Sequence, residues 1–247
     1  MIIQLYKRKL ATILGAAFIG IFAISLPGCA QENSTTEEAS TSEAVTDATS
    51  EVVSEISFLD HDMVLGDPNA PVEIIEYASL TCNHCATFHN QVLPRIKEKY
   101  VDTGKVKVVM RSFLLNAVDA SASLLTRCVP EKRYFKFMEI LFGQQTKWYN
   151  IPEYQRLSGI HDARTANTMF VESTLNEVQK IARQLGLNKK KIETCLADEK
   201  IGEYIFSVHQ EGIEKYKVTA TPTILVNGNK TGNSYAAVEE AIEEALD

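Results

Sequence analysis

Positive charge is scarce in this chain, and one long stretch lacks it altogether. The 247 residues hold 25 Lys and Arg against 32 Asp and Glu, a formal charge of −7, with no basic stripe of the kind that follows a phosphate backbone. Nucleic acid is therefore not an expected partner. From Gln31 to Asp62 there is no Lys or Arg; the stretch is mostly Ser, Thr, Ala and the acids Glu32, Glu37, Glu38, Glu43, Asp47, Glu51, Glu55, Asp60 and Asp62. Such a composition cannot bury enough apolar surface to fold, so residues 29–62 read as a disordered acidic tether, kept extended by its own charge. Sustained apolar heptads are missing too, which argues against a helical oligomerisation stalk. The acidity thus belongs to the spacer, and the part after Asp62 lies within one charge of neutral. No internal repeat is evident.

Cationic residues do cluster at the start, where Lys7, Arg8 and Lys9 precede an uncharged, mostly apolar run from Leu10 to Gly28. This is the layout of an export signal over residues 1–28. The run ends in Leu26-Pro27-Gly28-Cys29, which looks like a bacterial lipoprotein processing site and makes Cys29 the candidate for lipidation. An uncleaved signal anchor is also open, since about 19 mostly apolar residues could just span a bilayer, as is simple cleavage to a soluble form. Each outcome leaves the remainder periplasmic or otherwise extracytoplasmic.

Cysteine is sparse, with five in all, yet two of them stand as Cys82-Asn83-His84-Cys85. An apolar stretch ending in Ile74-Ile75-Glu76-Tyr77 precedes them and a helical pattern follows. The first cysteine then falls at a helix N-terminus, where unpaired N–H groups and the helix dipole stabilise a thiolate. The second lies one turn further in, close enough for a reducible bridge. His84 between them can add positive charge and lower the thiol pKa. The same spacing also serves zinc, but structural zinc usually takes four protein ligands and the nearby addition is His89. No metal or cofactor is expected, and a zinc- or copper-binding module is the alternative from a different class. Six residues before Cys82, Glu76 shares a strand face with Val72 and Ile74 by period two and should point into the core, where it could exchange a proton with the inner thiol. An edge strand with Glu76 facing water is the plainer reading. Far downstream, Thr221-Pro222 opens the apolar run Ile224-Leu225-Val226; on its own this reads as an ordinary trans proline at the mouth of a strand.

Together these residues make the chain resemble the DsbA-like thiol:disulfide oxidoreductases of the thioredoxin superfamily, from about Asp60 to the C-terminus. The resemblance implies an α/β architecture, a thioredoxin fold with a helical insertion subdomain, in which Glu76, Cys82, Cys85 and a cis Pro222 converge. It also implies exported cysteine-containing proteins as partners, with a membrane redox partner of the DsbB or DsbD type. Where many members carry proline this chain has Asn83, and Ala220 stands where glycine is common. Those positions tune redox poise, so oxidase, isomerase and reductase use all stay open, as does a dead fold serving as a surface lipoprotein.

Cys128 and Cys195 remain. An even remainder in an exported protein suggests a structural bridge, with two buried free thiols as the alternative. Residues 63–247 form one domain in this reading. The expected elements are a strand from Val72 to Tyr77, a helix from about Asn83 to Tyr100 that Pro94 should kink or interrupt, and a strand from Lys105 to Arg111. Helices with no convincing strand occupy about 117–199. A helix from about Lys200 to Lys215 follows, then two short strands around Asn227-Gly228 and a closing helix from Ala236 to Leu246. Trp148 and Tyr149 read as insertion core, and His61, His161 and His209 show no partner spacing. Cys82 is expected to attack and be attacked, Cys85 to leave and resolve, and the Thr221 backbone to pair with an extended substrate.

Overall fold

The computed structural model describes residues 58–247. The export signal, Cys29 and most of the acidic tether lie outside the described residues. Alternating apolar residues build five strands, β1 (Met63–Leu65), β2 (Val72–Ala78), β3 (Val106–Ser112), β4 (Thr223–Val226) and β5 (Asn229–Thr231), which form one sheet in the order β1-β3-β2-β4-β5. β2 runs parallel to β3 and antiparallel to β4, while β1 and β5 are antiparallel edges. A parallel β2–β3 pair needs a crossover, and helix α1, spanning residues 83–101, supplies it.

Period two sorts the sheet into faces. Val72, Ile74, Val106, Val108, Ile224 and Val226 pack with α1 and with α9 (Tyr235–Leu246), whereas Ile75, Tyr77, Val109 and Leu225 line the opposite face. Helix α8 (Glu199–Glu214) covers that second face. Its Gly212 lets it come close: a Cβ there would stand 2.8 Å from the Tyr77 ring. The β4–β5 hairpin turns through Asn227 and Gly228, both with positive φ, as a two-residue turn of this twist requires.

Between β3 and α8 the chain is helical throughout. After α2 (Ala117–Thr126) come α3 (Tyr134–Gly143), α4 (Gln145–Trp148), α5 (Ile151–Ser158), α6 (Ala163–Gln184) and α7 (Lys189–Leu196). Their apolar faces form one cluster that reaches Cys82 and Cys85. A disulfide joins Cys128, just past α2, to Cys195 in α7, with Cα atoms 5.6 Å apart. Gly186 takes a positive φ after α6, and Asn188 caps α7 through Lys191 N–H. In α3 the buried face runs through Tyr134, Phe137, Met138, Leu141 and Phe142, while Phe135 is only partly covered. Trp148 is buried and donates from Nε1 to the Leu141 carbonyl.

Two expectations need correction. The helix is not interrupted at Pro94: α1 continues through alternating α and π turns, with a π segment at Phe88–Val92 in which Leu93 N–H reaches back to the Phe88 carbonyl. The wider turn makes room for a ring that has no N–H to donate. The tether does not run to Asp62. Phe58 and Leu59 are buried, Leu59 N–H donates to the Arg127 carbonyl, and Arg127 Nη1 donates to the His61 carbonyl at 2.7 Å. Asp62 forms a salt bridge with Arg111 at 2.6 Å and accepts from the Tyr204 hydroxyl at 2.5 Å. One apolar pair and one well-held carboxylate were hidden by the average composition of the stretch.

Candidate active site

β2 ends at Ala78, and the chain turns through Ser79 to Thr81 before α1 begins. Cys82 is the N-cap of that helix. Its backbone is extended, at φ −88° and ψ 121°, and its sulfur takes the capping position, accepting from Cys85 N–H at 3.4 Å. A cap group normally carries oxygen; here a sulfur stands where the helix offers its unpaired N–H groups. The Cys82 thiol also lies 3.3 Å from the Thr221 carbonyl. The Thr221–Pro222 peptide is cis, unlike the trans bond that the dipeptide alone suggested.

The two sulfurs are free thiols in sharply different settings. Cys82 is 9% exposed and Cys85 is not exposed at all. The Cys82 thiol is lowered to about 5, first by the hydrogen bond from Cys85, with burial opposing, then by Thr221 and the N–H groups of Cys85 and His84. The Cys85 thiol is pushed well above the ordinary range, first by sharing its proton with Cys82, then by burial and by the Glu76 carboxylate. One proton lies between two sulfurs, and the outer sulfur carries the charge. His84 itself is exposed, and its backbone N–H, rather than the expected ring charge, figures among the causes that lower Cys82.

Glu76 lies under the pair. β2 is flanked by β3 and β4, so the edge-strand reading fails, and Glu76 is fully buried. Its Oε2 meets His89 Nε2 at 2.8 Å, while Oε1 has no hydrogen-bond partner. His89 stands four residues after Cys85 on the same helix face and stacks on Phe142, with ring centroids 4.0 Å apart. Among the described residues no three His, Cys, Asp or Glu side chains are grouped to hold a metal ion. Cys128 and Cys195, tied to each other, take no part in this arrangement.

Three residues of the insertion escaped the sequence reading. Asp119 accepts from Leu80 N–H at 2.9 Å and from Leu115 N–H at 3.0 Å. Gln145 donates from Nε2 to the carbonyls of Leu80 and Cys82 at 2.8 and 2.9 Å. Asn116 donates to the Thr81 hydroxyl at 2.9 Å. A polar residue in a helix gives no local sign that it will cap peptide groups some 40 or 65 positions away.

Comparison with known proteins places this geometry among relatives. A sequence-family model described as Thioredoxin matches residues 59–244. A Rickettsia bellii protein, provisionally named a protein-disulfide oxidoreductase, is 32% identical over 192 residues, covering 75% of this chain and 66% of that one. The chain thus spans under two thirds of the length of this relative, and 61% of a similar one from Rickettsia felis. The crystal structure of Wolbachia pipientis alpha-DsbA1 superposes with a TM-score of 0.60 at 31% identity, over 75% of this chain and 93% of the other. BdbD from Bacillus subtilis, at 20% identity, shares the fold with a TM-score of 0.59 over 75% of this chain and 92% of its own. With the matched region running from the buried N-terminal segment to the last helix, the chain belongs to the DsbA-like thiol:disulfide oxidoreductases of the thioredoxin superfamily.

Proposed function

We propose that this protein is an exported thiol:disulfide oxidoreductase that introduces disulfides into cysteine-containing proteins outside the cytoplasm. The observation that carries the proposal is the asymmetry of the two thiols: an outer sulfur at a helix N-terminus with its pKa lowered to about 5, over an inner one that is fully buried and pushed up. A stabilised Cys82 thiolate favours the reduced enzyme, which makes the Cys82–Cys85 disulfide a good oxidant.

In the oxidising direction a substrate thiolate attacks Cys82 Sγ, a mixed disulfide forms, and the Cys82–Cys85 bond breaks with its electron pair passing to Cys85. The Cys85 thiolate takes up a proton, for which Glu76, buried beneath it and joined to His89, is the donor we assign. A second substrate thiolate then attacks the substrate sulfur of the mixed disulfide and Cys82 leaves as a thiolate. Two electrons have moved from the substrate dithiol to the enzyme pair. Pro222 offers no N–H beside the sulfurs, and the Thr221 backbone can pair with an extended substrate segment. Reoxidation then requires a membrane redox partner, of the DsbB type for an oxidase. The tether and a lipidated Cys29 would hold the domain near such a partner.

Equilibration with glutathione buffers tests the proposal. A reduction potential near those of strong periplasmic oxidants is expected, and one near thioredoxin would reassign the protein to reductase or isomerase use with a DsbD-type partner. Cys85→Ser should accumulate mixed disulfides with substrate, because the resolving sulfur is gone.

A further inference from the structure

The stretch from Ser79 to Cys82 presents a problem of backbone accounting. It follows the last residue of β2, so its peptide groups have no strand partner, and it is buried under the insertion: Ser79 and Leu80 are 0% and 3% exposed. Buried peptide groups left without partners are costly. Leu80 finds both of its partners outside the thioredoxin core. Its N–H goes to Asp119 of α2 and its carbonyl to Gln145 of α4, and the same Gln145 nitrogen also holds the Cys82 carbonyl. Asp119 is fully buried, and its second oxygen holds Leu115 N–H, so one carboxylate links the loop before α1 to the loop before α2.

We infer that Asp119 and Gln145 are positioning residues through which the helical insertion sets the ionisation of Cys82. Gln145 fixes the carbonyls on either side of Thr81 and so holds the sulfur in the capping position over Cys85 N–H. Asp119 performs the same service for the Leu80 N–H but brings charge as well. Burial, with a smaller contribution from the Cys82 thiolate and against the hydrogen bonds it accepts, pushes its carboxyl up to about 6, so two negative charges oppose each other across the loop at neutral pH. The two residues therefore act on the thiolate in opposite senses: Gln145 favours it by placement, and Asp119 tempers it by charge. The insertion is part of the frame of the reactive sulfur.

This inference rests on the reading of Cys82 as the ionised nucleophile. The experiment is a titration of thiolate absorbance in the reduced full-length protein, paired with glutathione equilibration. Gln145→Met, which keeps length and loses both hydrogen bonds, should raise the Cys82 pKa by roughly half a unit or more, about a threefold drop in its ionisation constant. Asp119→Asn, which loses the charge and one of the two accepted hydrogen bonds and can keep the one from Leu80 N–H, should lower it by a similar amount and make the disulfide more oxidising. A purely structural role would lower the unfolding midpoint of both variants and leave both titrations at the wild-type value, which overturns the inference. If neither variant folds, the unaltered protein decides: the Gln145 side-chain amide protons and Leu80 N–H should shift with the Cys82 titration, and resonances that stay fixed overturn the inference. Failure of the underlying reading looks different, because wild-type Cys82 would then itself ionise as an ordinary thiol.

Discussion

Cys82 and Cys85 stand three residues apart at the mouth of a helix, unbonded; Cys128 and Cys195 stand 67 residues apart in the insertion, bonded, and all four are buried. The difference lies in the surroundings of the sulfurs. The first pair is placed against N–H groups, a carbonyl and a buried carboxylate, all of which act on charge. The second is buried in the insertion cluster together with Leu125, Val129 and Ile192, apolar residues that contribute to packing and offer nothing to a thiolate. A bridge closing a long loop restricts the unfolded chain, whereas a pair separated by two residues restricts it little and is free to serve as a redox couple.

The largest effect that should separate the pairs is on exchange. Cys82→Ser is expected to abolish oxidation of a reduced dithiol peptide, whereas the double variant Cys128→Ala/Cys195→Ala should keep it. Normal turnover by the first would end the enzymatic reading. The next effect is on stability and falls the other way. Loss of the Cys128–Cys195 bridge should cost about 2 to 4 kcal/mol in urea unfolding, because the unfolded chain regains the freedom that the closed loop denied it. Cys82→Ser should change stability by much less. Smaller again is Glu76→Gln, which leaves a buried amide where a proton carrier stood. Exchange should slow by about tenfold or more at neutral pH, with the deficit concentrated in steps that protonate or deprotonate Cys85.

How far the sequence announces these arrangements depends on the range of the interactions. The strand-to-helix junction at Cys82 is local, as is the Asn227-Gly228 turn, so residue type and spacing were enough to read them. Alternation along Val72 to Tyr77 put Glu76 on the inner face, but it could not show that β2 is central, because strand order is a property of the whole sheet. His89 was legible as a neighbour of Cys85 on its helix face. Its bond to Glu76 depends on how α1 lies on β2. Asp119 and Gln145 left no trace, since their partners are peptide groups of a loop made by a different part of the chain. The Phe58-Leu59 pair vanished into an acidic, serine-rich average, although Arg127 and Asp62 hold that segment firmly.

A further effect depends on pH, and it sharpens the comparison because the bonded pair cannot titrate. In the reduced folded protein the Cys82 thiol ionises near 5, against an ordinary value of 9.0. A group whose folded pKa is depressed adds stability that is complete above the unfolded value and is lost as pH falls through the folded one. The reduced protein should therefore gain on the oxidised one as pH rises from 5 toward 9, and the reduced-minus-oxidised difference in urea midpoint should rise over that window. Asp119 titrates near 6 in the folded protein, but it is present in both redox states and cancels to first order. Cys85, pushed upward, stays protonated across the window. The bridge-free double variant should show the same rise, with both midpoints displaced to lower urea by a constant amount. A difference that stays flat from pH 5 to pH 8 would mean that Cys82 ionises like an ordinary thiol, and the distinction between the two pairs would then be one of bonding and spacing alone.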